Sequence, residues 1–169
     1  IAVQRLRLQT RPPQLEEWSA IAERIQNPRG RVKVALVGKY VELKDAYISI
    51  SEAIGHAGIF HNVAVDVVRI DSERIEAEGL TALEDVDGVL VAPGFGARGV
   101  KGKLVAIQHV RENRIPFLGI CFGMQLACVE FARNVCGLSE AMTTEVDETS
   151  PDPVIDFIPE QRNLDLKGG

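Results

Sequence analysis

The stretch Pro116-Phe117-Leu118-Gly119-Ile120-Cys121-Phe122-Gly123-Met124-Gln125 decides how the rest of the chain is read. Its first five residues form a short apolar run, as expected of a strand buried in a sheet. From Met124 the period changes to a helical one and holds through residue 132. Between the two, a cysteine has a glycine two positions away on either side. Strand, tight turn and helix in that order put the thiol on a sharp elbow, where glycines let the backbone bend and hold a nucleophile clear of the sheet. The thiol also heads a helix, where the positive end of the dipole favours negative charge. The opposing reading is a small buried hydrophobe at a strand end, as many free cysteines are. The paired glycines and the switch of period favour the nucleophile.

Outward from the elbow, strands and helices alternate. Residues 32–37 are a near-continuous apolar run, the mark of a strand buried on both faces, and Gly38-Lys39-Tyr40 ends it. Asp45 is placed to cap a helix over 46–56, closed by Ala57-Gly58. Further strands are expected over 63–70, 88–92 and 115–120, with a helix over 99–113. This alternation predicts an α/β fold, a mostly parallel sheet with helices on both faces in a flavodoxin-like three-layer arrangement. Such sheets bind ligands outside the carboxyl ends of their strands. The turns after Val37, Ala92 and Ile120 all fall on that edge, so the elbow should face a pocket.

The two ends read differently. Near the start, Gln9-Thr10-Arg11-Pro12-Pro13 is a breaker segment, and Leu15, Trp18, Ile21, Ala22 and Ile25 share one face of a helix over 15–25. Asn27-Pro28-Arg29-Gly30 stops it. This segment, residues 1–30, is either a tether to something upstream or a helix lying on the flank of a domain that begins at residue 31. Beyond Ser139, residues 143–146 and 154–158 are candidate strands, and 167–169 read as a loop.

Composition narrows the function classes. The 169 residues, 46% of them hydrophobic, suit one globular domain with an appendage. A net charge of −5 gives no basic footprint, which argues against nucleic acid as a partner. No apolar run is long enough to span a bilayer. Cys121, Cys128 and Cys136 fit neither a disulfide framework nor zinc-ligand spacing, so reduced thiols in the cytoplasm and no metal are expected.

A cysteine attacking a carbonyl creates an oxyanion that preorganised donors must meet. Pro93-Gly94-Phe95-Gly96-Ala97-Arg98-Gly99, directly after the third strand, is the natural supplier, since its glycines leave backbone N–H groups open to a ligand. Alone it would read as a glycine-rich turn into a helix, and it lacks the Gly-Lys-Ser/Thr pattern of a phosphate loop. A thiol nucleophile also needs a base, normally histidine. The histidines are His56, His61 and His109, none of them placed by its expected element at the carboxyl edge. No triad can be assembled from these residues.

The elbow, the glycine loop, Gly38-Lys39-Tyr40 and Asp45-Ala46-Tyr47 together resemble the class I glutamine amidotransferases, and in particular the C-terminal glutaminase domains of the CTP synthase family. The resemblance runs from about residue 31 onward, and residues 1–30 resemble the close of that family's synthetase domain and its linker. It implies that Cys121 is the nucleophile forming a glutamyl thioester, and that Gly94 and Phe95 lie in the loop that binds L-glutamine and helps form the oxyanion hole. It further implies that Phe122, Gly123, Met124 and Gln125 line the glutamine pocket, and that Glu145 contacts the substrate's α-amino group; without it, Glu145 reads as a solvated glutamate in an acidic loop. The ammonia would serve ATP-dependent amination of UTP to CTP. ATP, UTP and magnesium would bind the synthetase domain, leaving no cofactor in this chain, and the full-length enzyme would be a homotetramer. Two departures stand out. The family has two glycines after the loop proline where this chain has one, Pro93-Gly94-Phe95. Its catalytic histidine and glutamate, and an arginine for the glutamine carboxylate, come from downstream sequence, so this polypeptide by itself should turn over glutamine poorly. Other readings are a different class I amidotransferase and a non-catalytic regulatory or assembly module.

Overall fold

The structure, a computed structural model, describes residues 2–43 and 45–158. The loop expected at 167–169 lies outside them. Two leading helices, α1 (Ala2–Arg5) and α2 (Glu16–Gln26), precede a run of β1 (Arg31–Gly38), α3 (Ile48–His61), β2 (Ala64–Asp71), α4 (Ser72–Glu78) and a 3-10 turn (Gly79–Leu83). There follow β3 (Gly88–Val91), α5 (Val100–Asn113), β4 (Phe117–Gly119), α6 (Phe122–Asn134), β5 (Ala141–Thr143) and β6 (Asp152–Ile155).

The four main strands pair in parallel in the order β2-β1-β3-β4. The apolar run of β1 explains its central place: Ala35, Leu36 and Val37 are wholly buried, with alternate side chains entering opposite layers. On one face Ala35, Val37, Val89 and Val91 pack against Ile75 of α4, Val100, Ile107 and Val110 of α5, and Phe122 and Leu126 of α6. On the other, Leu36, Leu90 and Ala92 pack against Tyr47 and the Ile50 and Ile54 side chains of α3. The expected parallel α/β sheet with helices on both faces is therefore present. Strand order reverses between β1 and β3, and the crevice above their carboxyl ends is where such a fold binds ligands. An ion pair ties the layer bearing the elbow together. The Arg111 guanidinium of α5 donates from Nε to both carboxylate oxygens of Glu130 on α6, at 3.0 and 2.9 Å, and Glu130 is buried.

Several boundaries differ from expectation for physical reasons. Helix α3 starts at Ile48 with no side-chain cap, so Asp45 does not cap it. Nor does Gly58 close it: the helix continues to His61 and ends on Asn62, which is left-handed at φ 58°. Gly58 is buried, and a Cβ there would stand 2.7 Å from Cγ2 of Val65, so the lack of a side chain lets α3 lie close on β2. Helix α4 forms within 72–83, where no element is expected from the sequence, its first turn capped by Asp71 accepting from the Glu73 N–H at 2.8 Å. The tail strands are β5 and β6, each displaced toward the N-terminus from 143–146 and 154–158, and they pair in parallel with each other outside the main sheet. Helix α2 forms as expected, touching α3, with Trp18 69% exposed.

Candidate active site

The elbow is built by close packing of backbone on backbone. Cys121 sits between β4 and α6 at φ 53° and ψ −111°, a conformation that non-glycine residues seldom adopt and that nucleophile turns hold against its cost. A Cβ on Gly119 would come within 2.7 Å of the Gly123 backbone, and one on Gly123 would come within 2.2 Å of the Val91 carbonyl oxygen. Only glycine at both positions lets the turn fold on itself and lets α6 sit against β3. The Ile120 carbonyl accepts from Gly123 at 2.9 Å and the Cys121 carbonyl from Met124 at 3.0 Å, so the turn enters the helix without a break. The Cys121 thiol is exposed at the carboxyl edge.

The glycine loop between β3 and α5 lies beside it. Gly94, Gly96 and Gly99 have positive φ, and Gly94 at φ 127° passes against Tyr40 and Lys39. Two buried ammonium groups hold this loop from below. Lys39, at the end of β1, donates from Nζ to the Phe95 carbonyl and, at 2.9 Å, to the Gly96 carbonyl. Lys103, on the first turns of α5, donates from Nζ to the Ala92 carbonyl at 2.9 Å. Phe122 stands between them, its ring centroid 6.0 Å from Lys39 Nζ and 5.5 Å from Lys103 Nζ, within cation–π range. The Phe95 ring closes over Phe122 at 5.6 Å between centroids. Tyr47 secures the root of Lys39, its Oη accepting from the Lys39 N–H at 3.1 Å and the Tyr40 N–H at 3.3 Å.

Burial holds the Lys39 ammonium below the ordinary lysine range and the Arg98 guanidinium adds to this, while Glu145 and Glu73 oppose it. Burial likewise pushes Lys103 down to about 8, with Lys39 adding and Cys121 opposing. Two cations therefore lie under the glycine loop, Lys103 facing Cys121, and Lys39 with Glu145 and Glu73 as its nearby carboxylates and Arg98 as a third cation beside it.

Of the residues singled out from sequence, the structure brings Cys121, Gly94, Phe95, Phe122, Gly123 and Glu145 to one end of the sheet. Glu145 is exposed, its N–H donating to Oγ1 of Thr143 at 3.3 Å. Met124 is exposed and Gln125 half-buried on the first turn of α6. The Phe122 side chain packs into the core and Gly123 is buried, so neither presents a side chain to the surface. Lys39 and Lys103 were not recognised from sequence as site residues. A signal existed for the second: Val100, Lys103, Ile107 and Val110 share the apolar stripe of α5, and a lysine on such a stripe is out of place. The histidines stand apart. His56 and His61 lie on the later turns of α3, His61 edge-on to Phe60, and His109 lies beside Asn113 late in α5. Both helices start at the carboxyl edge and run away from it. Among the described residues no group of three or more His, Cys, Asp and Glu side chains is placed to hold a metal ion, and no helix is long and apolar enough to cross a membrane.

Comparison with known proteins gives a consistent match. The family profile described as glutamine amidotransferase class-I matches residues 42–157. A CTP synthase of Moorella thermoacetica is 52% identical over 169 residues, 100% of this chain and 32% of the relative. One from Methanocaldococcus jannaschii is 51% identical, over all of this chain and 33% of the relative. The chain thus spans about a third of the length of these relatives. Among solved structures, the glutaminase domain of a Trypanosoma brucei CTP synthase with bound acivicin superposes with a TM-score of 0.72 and 39% identity, covering 78% of this chain and 52% of that one.

Proposed function

This chain belongs to the class-I glutamine amidotransferase family, and from that premise we propose that it is the glutamine-hydrolysing part of a CTP synthase. The observation that carries the reading is the exposed Cys121 thiol on a strained elbow, next to a glycine loop on the same sheet edge. The Cys121 sulfur attacks the side-chain amide carbon of glutamine, forming a C–S bond and placing negative charge on the carbonyl oxygen. Backbone N–H groups of the glycine loop at Gly94 and of Phe122 at the helix start meet that charge, the arrangement a nucleophile elbow provides. Collapse of the intermediate expels ammonia as its nitrogen gains a proton, leaving a γ-glutamyl thioester. Water then breaks the C–S bond and releases glutamate. None of the three histidines is placed to move these protons, and the family resemblance assigns that task to residues outside this sequence.

Glu145 suits the α-amino end of glutamine, because a carboxylate at this end of the sheet attracts an ammonium group. Glu145→Gln is expected to raise KM for glutamine about tenfold, the scale of one lost charged hydrogen bond, with kcat changed less. Steady-state ammonia release against glutamine concentration checks this. ATP, UTP and magnesium belong, on this reading, to a synthetase domain of the full-length protein, which uses the ammonia to aminate UTP.

The test is to supply the full-length protein with glutamine, UTP, ATP and magnesium and to follow both ammonia and CTP. Glutamine-dependent CTP formation is expected. Ammonia release without amination of UTP would point to another amidotransferase, and the absence of both would refute hydrolysis.

A further inference from the structure

We propose that Lys103 is a positioning residue for the oxyanion loop, holding the Ala92 carbonyl from inside the fold and so fixing the peptide plane from which Pro93 and Gly94 hang. This rests on the reading of Cys121 as a glutamine-hydrolysing nucleophile. Lys103 is wholly buried, and among the described residues its ammonium makes one hydrogen bond, to Ala92, and pairs with no carboxylate. Burying such a charge is costly, and a methionine of similar length would fill the same channel without that cost. An ammonium kept there at that cost, directly beneath a reactive thiol, suggests a use.

The geometry supplies one. Anchoring the Ala92 carbonyl sets how the chain leaves β3. The ring of Pro93 then locks the next φ near −65°. A single free torsion therefore separates a clamped peptide plane from the Gly94 N–H. Lys39 performs the matching task at the loop tip through the Phe95 and Gly96 carbonyls. The two lysines meet the same ring, Phe122, which follows the nucleophile directly, so loop and elbow share one support. Donors of an oxyanion hole act only when they are in place before reaction, and displacements near 1 Å cost up to about 100-fold in rate.

The charge matters as well as the contact. A hydrogen bond from an ammonium is about twice as strong as one from a neutral amine. The groups facing Lys103 are Lys39 from the end of β1, which disfavours its charge, and Cys121 from the elbow, which favours it; the Phe122 ring lies alongside. Lys103 loses its proton near pH 8, so the clamp weakens as pH rises through that value.

The test compares two reactions of the same thiol in the full-length protein. Glutamine hydrolysis passes through an oxyanion. Alkylation by iodoacetamide forms an S–C bond as iodide leaves and creates none. Lys103→Met is expected to lower kcat for hydrolysis about 10- to 100-fold, with KM changed less than about threefold. The pH-independent rate of Cys121 alkylation, taken from its profile across the thiol's titration and mapped by peptide mass spectrometry, should stay within about twofold, since Lys103 bears on the charge of the thiol and not on the reactivity of its thiolate. An unchanged kcat, or a parallel fall in both reactions, would overturn the proposal. Should the variant fail to fold, the unaltered protein still decides. Its kcat should fall as pH rises above about 8 and Lys103 deprotonates, and a profile still flat at about pH 10.5, past the ordinary lysine value, would overturn the proposal. Absence of hydrolysis in the unaltered protein would instead refute the glutaminase reading, and this proposal with it.

Discussion

Cys121→Ala is expected to lower glutamine-dependent turnover by at least about 10⁴-fold, the scale seen when a covalent nucleophile is removed. The loss should appear in kcat, because the glycine loop and Glu145 remain to bind substrate. Cys128→Ala and Cys136→Ala are the controls. Both thiols are exposed, but one lies two turns into α6 and the other beyond its end, away from the elbow. Each should keep its rate within about twofold, since neither touches a reacting atom. If the synthetase reaction resides in another domain, ammonia supplied directly should still support amination of UTP by Cys121→Ala. Initial rates with glutamine and with ammonium chloride, run side by side, separate these outcomes.

Gly123→Ala carries the largest expected effect on stability. Its new Cβ would fall 2.2 Å from the Val91 carbonyl oxygen and 2.9 Å from the Val91 carbonyl carbon, so no side chain can yield. β3 and α6 must move apart, opening the packing of Val91, Phe122 and Leu126. A loss of about 3 kcal/mol or more follows from overpacking against backbone. For a domain of this size that lowers the melting temperature by roughly 6–12 °C. Gly55, in the middle of α3 with nothing within 4 Å of its added Cβ, is the counterpart. Gly55→Ala should stabilise by about 0.5–1 kcal/mol through helix propensity alone. Thermal unfolding of the two variants checks both signs.

How far the sequence could be read depended on whether a signal was local. The run at 32–37, the valines and glycine of 88–91 and the glycine-flanked cysteine each carry their meaning in consecutive residues, and each element appeared where it was expected. Gly58 misled because a glycine in a helical pattern has two physical uses, ending a helix or admitting a neighbour, and only the position of Val65 decides between them. The short helix after Asp71 was missed since seven residues carry too little periodicity, although Asp71-Ser72-Glu73 is a capping sequence. Pairing of β5 with β6 depends on tertiary packing and has no local mark. At the site, the strained cysteine elbow and the glycine loop beside it were legible as geometry. The two ammonium clamps were not, because a lysine's aim depends on which carbonyls the fold brings above it. Only the place of Lys103 on an apolar stripe hinted at one of them.

The role proposed for Cys121 is that of a nucleophile for the glutamine side chain. It is tested most directly by incubating the full-length protein with diazo-oxo-norleucine, a glutamine analogue that alkylates such a nucleophile, and locating the adduct by peptide mass spectrometry. One adduct per chain is expected, on Cys121, with Cys128 and Cys136 unmodified and excess glutamine slowing its formation. An unlabelled Cys121, or labelling spread over all three exposed thiols and indifferent to glutamine, would contradict the account.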